Sequence, residues 1–201
     1  GMGEFNKHGN DSWAYDQRGF DYVMRDQFGY NYALKDKLFM TKNRDKFQRV
    51  IVKAAANDNY PFSYGGSGAH IRDAYVNHLS QLAGLRLDER STTSCIVYLD
   101  GDYWGVYEMR EKVDDHDFTD YYYDQDKNNL QYLKTWGGTW TEYGAPNAQP
   151  DWDNFVNFVT TNPMVVPANY NTAKSEYNTG SLIDYFLLNS YVVCGDWLNW
   201  N

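Results

Sequence analysis

The sequence has little that could cross-link the chain or hold it in a membrane. It contains two cysteines, Cys95 and Cys194, among 201 residues, and so few cysteines exclude a disulfide framework. Both lie in apolar stretches, where we expect buried free thiols. The sequence also lacks an apolar run of the roughly 18 residues that a membrane-spanning helix requires. It therefore predicts no transmembrane segment.

Basic residues are scarce as well. Lysine and arginine together number 18, against 27 aspartates and glutamates, and the formal net charge is −9. An acidic chain is repelled by nucleic-acid phosphates and by anionic lipid surfaces. We therefore expect neither nucleic acid nor an anionic membrane to be the main partner.

Aromatic residues, by contrast, are abundant, with 19 Tyr, 10 Phe and 7 Trp. Such a composition is typical of proteins that bind sugars or peptides, and equally of a small core packed from aromatic rings. Both interpretations stay open. Under the first one, Trp136 and Trp140 in a Gly-rich loop are candidates for contact with a glycan or a protein.

The N-terminal half predicts strands and one helix. Residues 1–16 are polar and predict an exposed arm or loop. Partial alternation predicts a strand over 20–25. Residues 30–39 fit a strand or a short helix, and we expect the two segments to form a hairpin. A clearer strand covers 47–54, and a helix covers 69–83. The apolar stripe of that helix is expected to face the core; it comprises Ile71, Ala74, Tyr75, His78, Leu79 and Leu82.

The strongest local signal is a hairpin with strands over 94–99 and 103–109. Asp100-Gly101 between them is typical of a type I′ turn. Gly105 in the middle of the second strand indicates a bulge or the close approach of another backbone. The charged residues 110–115 that follow predict either a hinge or a solvated loop.

The C-terminal half is expected to be mainly helical. A strand is predicted over 131–134, and a helix capped by Asp151 runs to residue 160. Residues 162–178 predict irregular structure. The last helix, over 183–193 with Ser181 as its cap, is apolar almost all round, so it is expected to be central to its lobe.

Lys53, at the end of a predicted strand, is a candidate for binding phosphate, because kinases place a lysine on an N-terminal strand. Arg49 on the same face is a second candidate. Asp73 is the acid on the following helix that could pair with Lys53, and the alternative is that Lys53 points into water. Residues 63–68 are Gly-rich and could cradle a phosphate. However, no Gly-x-Gly-x-x-Gly loop is present, which counts against an ordinary protein kinase loop.

Asp196 and Asn201 follow the last helix with the spacing of a kinase catalytic loop. In such a loop the Asp orients the substrate hydroxyl and the Asn holds a metal ion. The pair alone is weak evidence, since Asp and Asn are frequent in turns.

Three segments in this order resemble the spore-coat protein H (CotH) kinase family. They are Ile71-Arg72-Asp73-Ala74, the hairpin with its charged tail over 97–114, and Asp196-Trp197 followed by Asn201. The order of elements is that of an α+β, kinase-like two-lobed fold. We expect an N-terminal lobe of antiparallel sheet with one helix over 1–113. A partial helical C-terminal lobe, ending in the catalytic loop, is expected over 114–201.

The resemblance implies an atypical protein kinase that transfers phosphate from ATP to Ser or Thr hydroxyls of a protein substrate. ATP and Mg²⁺ (or Mn²⁺) are the implied cofactors, and the implied location is extracytoplasmic or at the cell surface. By the motif, Asp196 would be the catalytic residue and Asn201 a metal ligand. Nucleotide binding would fall to Lys53, Arg49, Asp73 and Glu111.

A second metal-binding Asp is expected beyond Asn201, so we expect the chain to be inactive by itself. The alternative is a non-catalytic cell-surface module that binds glycans or proteins. A hydrolase that uses carboxylates among Glu108, Glu111 and Asp114 is disfavoured, because Glu108 and Glu111 would face opposite sides of one strand.

Overall fold

The computed structural model of the chain describes residues 1–9, 11–29, 31–59, 68–114, 116–195 and 197. Asp196 and Asn201, with most of the Gly-rich segment 63–68, lie outside the described residues. Two compact units are present. The first comprises Gly1–Ala83 and Asp88–Tyr123, and the second comprises Gly84–Leu87 and the chain from Asp124 onward. Strands and helices both occur, which confirms the predicted α+β class; the division into lobes at residue 113 stays a prediction.

The elements are these. Strands are β1 (Gly3–His8), β2 (Gly19–Met24), β3 (Leu34–Lys35), β4 (Lys46–Phe47), β5 (Arg49–Lys53), β6 (Thr92–Leu99), β7 (Asp102–Glu111), β8 (Tyr132–Thr135) and β9 (Thr139–Tyr143). Helices are α1 (Arg72–Ala83), α2 (His116–Tyr123), α3 (Ala148–Thr161), α4 (Pro167–Glu176) and α5 (Thr179–Tyr191).

A five-stranded antiparallel sheet, in the order β1-β2-β5-β7-β6, forms the first unit. The exposed arm or loop predicted over residues 1–16 is wrong for residues 3–8, because β1 pairs with β2 from Gly3 opposite Met24 to His8 opposite Gly19. Phe5 of β1 also packs on Tyr22, with ring centroids 4.7 Å apart. The backbone ladder and the packing of Phe5 stabilise this edge strand, so the rest of its sequence can be polar.

The predicted hairpin between residues 20–25 and 30–39 is also wrong. β2 pairs with β1 and β5 instead. Within the described residues 31–39 the only strand is Leu34–Lys35, and it pairs with β4. Asp26–Phe28 form a short 3₁₀ turn that ends at Gly29 with φ of 89°. This left-handed residue ends the turn after β2.

The hairpin of β6 and β7 confirms the strongest sequence signal. Asp100 and Gly101 have φ of 52° and 91°, and a type I′ turn requires a positive φ at both residues. The register shifts between Val97 and Tyr98, opposite Gly105, so the predicted bulge is present. The group close to Gly105 is a side chain, since a Cβ there would lie 2.5 Å from Gln17 Nε2.

One face of this sheet is apolar and carries the core. Met24, Phe39, Phe47 and Val50 form its centre and are all buried. The rings of Phe39 and Phe47 meet edge to face, with centroids 5.3 Å apart. The residues between these, on the other face of β2, β5 and β7, are mostly charged.

Helix α1 is rotated relative to its prediction. Ile71, which precedes it, and Tyr75 are each 58% exposed and Leu82 is 73% exposed, whereas Ser80 is fully buried. Ser80 Oγ donates to Glu89 Oε1 at 2.6 Å, and other hydrogen bonds join the same side of the helix to residues 90 and 91. These polar contacts fix which side of the helix faces the unit, so the expected inward apolar stripe is wrong.

In the second unit β8 and β9 form a hairpin, which confirms the strand predicted near residue 131. Helix α3 is also confirmed, but it begins at Ala148, so Asp151 lies in its first turn and is not its cap. The predicted irregular stretch 162–178 is wrong because it contains α4. Pro167 stands at the first position of α4, where its missing N–H costs nothing.

The cap and the burial of α5 also differ from prediction. Its N-cap is Asn178, whose side chain accepts from the Ser181 backbone N–H at 3.0 Å. Ile183 and Leu187 are 59% and 60% exposed, so the helix is not central to its unit. Its buried residue is Asp184, which accepts two hydrogen bonds from the Arg86 guanidinium, at 2.7 and 3.0 Å.

Candidate functional site

The charged face of the sheet is built by strand register. Lys53 of β5 lies opposite Glu108 of β7, and Ile51 lies opposite Arg110. On the other side of β5, Asp21 of β2 also lies opposite Ile51. Because side chains alternate along a strand, these residues share the face that points away from the core. α1 reaches the same face through Asp73.

Lys53 and Asp73 are in direct contact on this face. Lys53 Nζ donates to Asp73 Oδ2 at 2.7 Å, and the Lys53 side chain is only 17% exposed. Asp73 stands in the first turn of α1. The structure thus contains the contact between a strand lysine and a helix acid that the sequence indicated, and Lys53 does not point into water.

Asp73 also pairs with a second cation. Its Oδ2 accepts from Arg110 Nη1 at 2.8 Å. Partial burial raises the pKa of Asp73, but the charges of Lys53 and Arg110 outweigh it and hold that pKa well below its ordinary value. Burial lowers the pKa of Lys53, opposed by the charge of Asp73. Asp73 is therefore anionic at neutral pH, and it holds both cations in place.

Arg110 is the residue at this site that the sequence analysis missed. Its side chain is 2% exposed, and its guanidinium makes two hydrogen bonds to Glu108 Oε2, one of them at 3.0 Å from Nε. The sequence does contain a pattern that indicates a buried charge at this position. Glu108 and Arg110 alternate along β7, and Lys112 directly follows the strand, so an interior strand places two charges on one face. Charges are kept in such a position only when they are paired.

A second chain of charges lies on the same face. His8 Nδ1 is 3.1 Å from Asp21 Oδ1, and Lys112 Nζ is 3.3 Å from Asp21 Oδ2. Lys112 Nζ also lies 3.2 Å from Asp114. Burial raises the pKa of Asp21, but its contacts with His8 and Lys112 more than offset this and lower it. The chain ties β1, β2 and the exit of β7 together.

The turn between β1 and β2 encloses a cavity of about 100 Å³ beside Lys53. Its lining includes His8, Gly9, Ser12, Gly19, Lys53 and Ala54. Gly9 has φ of 99°, and a Cβ at this position would overlap the Ser12 hydroxyl. The Lys53 ammonium and the Ser12 hydroxyl are donors of the kind that bind phosphate oxygens. The sequence did not indicate this part of the site, because residues 1–16 were expected to form an exposed arm or loop.

Comparison with known proteins gives one match. A family model described as CotH kinase protein matches residues 8–200. The chain belongs to the CotH kinase family. The resemblance seen in the sequence is thereby confirmed, and the match starts earlier than the motifs did, so it includes the turn between β1 and β2. No curated protein and no solved structure shows significant similarity to the chain.

Two other candidate residues, Arg49 and Glu111, lie away from Lys53. Arg49 lies on the same face of β5, at the opposite end of the strand. Glu111 faces the other side of β7, where it is fully buried and accepts from Arg44 Nη1 at 3.0 Å and from the Tyr122 hydroxyl at 2.9 Å. Asp196 and Asn201 fall outside the described residues. The roles of all four stay predictions.

Among the described residues, no three His, Cys, Asp or Glu side chains are grouped as metal ligands. Within the same part of the chain, no helix has both the length and the apolar character that crossing a membrane demands.

Proposed function

We propose that this member of the CotH kinase family binds ATP and transfers its terminal phosphoryl group to Ser or Thr hydroxyls of proteins. The observation that carries the proposal is the 2.7 Å contact between Lys53 and Asp73. In protein kinases a strand lysine contacts the phosphates and is held by an acid on the next helix. Family membership supports the same reaction.

The order of elements supports this function too. Of the five strands in the sheet, the third in chain order is β5, which ends at Lys53. α1 with its acid follows, and then the hairpin of β6 and β7. Protein kinases place their phosphate-binding lysine on the third strand, ahead of the helix that carries its partner. Asp73 is one carbon shorter than the usual Glu, and Arg110 helps to keep it in position.

The residues at Lys53 fit a phosphate group. Lys53 would hold phosphate oxygens of ATP, and the turn that contains Gly9 and Ser12 would cover them. ATP supplies the phosphoryl group. Mg²⁺ or Mn²⁺ would enter with the nucleotide. Asp196 would orient the acceptor hydroxyl and Asn201 would hold the metal, and we propose an extracytoplasmic or cell-surface location.

Nucleotide binding is the first test. Isothermal titration with ATP and Mg²⁺ should give saturable binding, and Lys53→Ala should weaken it about tenfold or more, as expected for loss of a charged hydrogen bond. Lys35→Ala is the matched control, because it removes an exposed lysine from another strand of the same unit. Absence of binding with either metal would contradict the proposal, as would equal affinities of the two variants.

Phosphoryl transfer is tested separately. The test uses a chain that extends beyond Asn201. Label from γ-labelled ATP should appear on Ser or Thr of an acceptor protein, and Asp196→Ala should abolish the transfer while leaving nucleotide binding in place. Loss of both properties together would indicate that the variant is misfolded, and circular dichroism distinguishes that case.

A second function has one observation in its favour. Trp136 and Trp140 of the β8–β9 hairpin are 60% and 45% exposed. Exposed tryptophans can serve a non-catalytic module that binds glycans or proteins. Glycan binding that disappears in Trp140→Ala, together with no response to ATP, would favour this alternative.

A further inference from the structure

A second, larger cavity lies beside the N-terminal part of β7 in the first unit. Its volume is about 660 Å³, and its lining includes Asp16, Gln17, His70, Tyr103, Trp104 and Val106. With the cavity at Lys53 it shares only Gln17 among the described residues. A cavity of this volume, lined by aromatic side chains and a few polar groups, is of the kind that binds a ligand.

Two aromatic side chains and one aliphatic side chain in this cavity are exposed to solvent. Tyr103 is 61% exposed, Trp104 is 47% exposed and Val106 is 48% exposed. Tyr103 is held by an edge-to-face contact with Tyr98, with centroids 6.0 Å apart and planes at 76°. The negative face of an exposed aromatic ring attracts cations, and arginine and lysine are the usual ones.

The part of the cavity lining that contains Gln17 is held against β7. Gln17 Nε2 donates to the Val106 carbonyl at 3.0 Å, which ties the turn between β1 and β2 to β7. Gly105 makes this approach possible, since a Cβ there would lie 2.5 Å from Gln17 Nε2. Asp16 is the residue before Gln17, so its carboxylate is carried by a tethered segment. The cavity therefore exists before a ligand arrives.

Carboxylates lie in this cavity and beside it. Asp16 lines it, Asp100 is exposed in the turn between β6 and β7, and Asp102 is exposed at the start of β7. None of the described residues that line it is a lysine or an arginine. The net charge of the chain, −9, acts in the same direction. Charge complementarity therefore favours a cationic ligand.

We propose that this cavity binds a lysine or arginine side chain from a basic segment of a partner protein. Tyr103 and Trp104 provide the aromatic walls, and Asp16 provides the counter-charge. The inference does not depend on phosphoryl transfer, because none of these residues belongs to the charged face around Lys53. A neutral glycan would use the rings but gain nothing from the surrounding carboxylates.

The test uses the full chain and a short fluorescein-labelled polyarginine peptide, followed by fluorescence anisotropy. Trp104→Ala should weaken binding by roughly threefold to thirtyfold, which is the range of a cation–π contact. Trp104→Phe keeps a ring and should retain most of the affinity. Asp16→Asn should weaken binding by about twofold to fivefold. The Asp26→Asn variant removes the same charge from a distant exposed turn and should bind like the unmodified chain.

Three outcomes would overturn the proposal. The first is no binding of polyarginine, or equal binding of a polyglutamate peptide. The second is the same loss in Asp16→Asn and Asp26→Asn, which would mean that only the net charge matters. The third is a neutral glycan that binds in place of the peptide and depends on Trp104. Circular dichroism of each variant shows that it is folded.

Discussion

Arg110 Nη1 donates to Asp73 Oδ2 at 2.8 Å, although the two residues are 37 positions apart in the chain. Through this bond a buried arginine of β7 shares one carboxylate oxygen with Lys53. The helix acid of this CotH kinase domain is thus held from two strands. A short side chain such as Asp needs this support, because it reaches less far from the helix than Glu would.

Removal of Arg110 should destabilise the first unit. Arg110→Met leaves Glu108, which is 7% exposed, as a buried charge without its main partner. We expect a loss of about 3–5 kcal/mol in the free energy of unfolding, measured by urea denaturation. The control is Arg25→Met, whose pair with Glu4 is 38% exposed on both sides. It should cost less than about 1 kcal/mol.

The double variant Arg110→Met with Glu108→Gln distinguishes this explanation from simple loss of packing. Removal of both charges should restore part of the lost stability, because no unpaired carboxylate remains. If the double variant is as unstable as Arg110→Met, the buried charge is not the cause.

Gly105→Ala should be destabilising and should disturb the turn before β2. Gly105 has φ of 147°, a conformation that alanine resists, and the added methyl would displace Gln17. We expect the free energy of unfolding to fall by about 1–3 kcal/mol, which is typical of a residue forced into such a conformation. Thermal denaturation measures this loss. Gly138→Ala is the control, since nothing lies within 4 Å of a Cβ there. Equal effects of the two substitutions would contradict the assigned role of Gly105.

The second unit should lose stability in acid. Hydrogen bonds from Arg86 to Asp184 lower the pKa of this carboxyl from its ordinary value to about 2. The stability that ionised Asp184 contributes through Arg86 is therefore complete above about pH 4. It disappears as the pH falls through about 2, when Asp184 takes up a proton. The measurement is unfolding free energy against pH. Asp184→Asn should be less stable at neutral pH and should show a smaller decrease over this interval.

Local signals predicted the central elements of the first unit well. The Asp-Gly turn and alternating residues specify β6 and β7 without help from the rest of the chain. The strand ending in Lys53 was predicted because valine and isoleucine dominate it, and the order of elements then suggested Asp73 as its partner. These features depend on residues that are close in sequence.

Features decided by distant contacts were missed. The side of α1 that faces inward is set by Asn77, Ser80 and Gln81, which bond to residues 89–91, so its apolar periodicity was misleading. β1 is a strand because β2 lies beside it. The burial of Arg110 depends on Glu108 and Asp73 together. Hydrophobic periodicity carries no information about such polar partners.

The most direct test of the account asks whether Lys53 meets the nucleotide. Lysine side chains are labelled with ¹³C next to the ammonium group, and the Lys53 signal is assigned from Lys53→Arg. On titration with ATP and Mg²⁺ this signal should shift saturably, and adenosine, which has no phosphates, should leave it in place. A Lys53 signal that does not move while ATP binds would contradict the proposed role of the pair with Asp73.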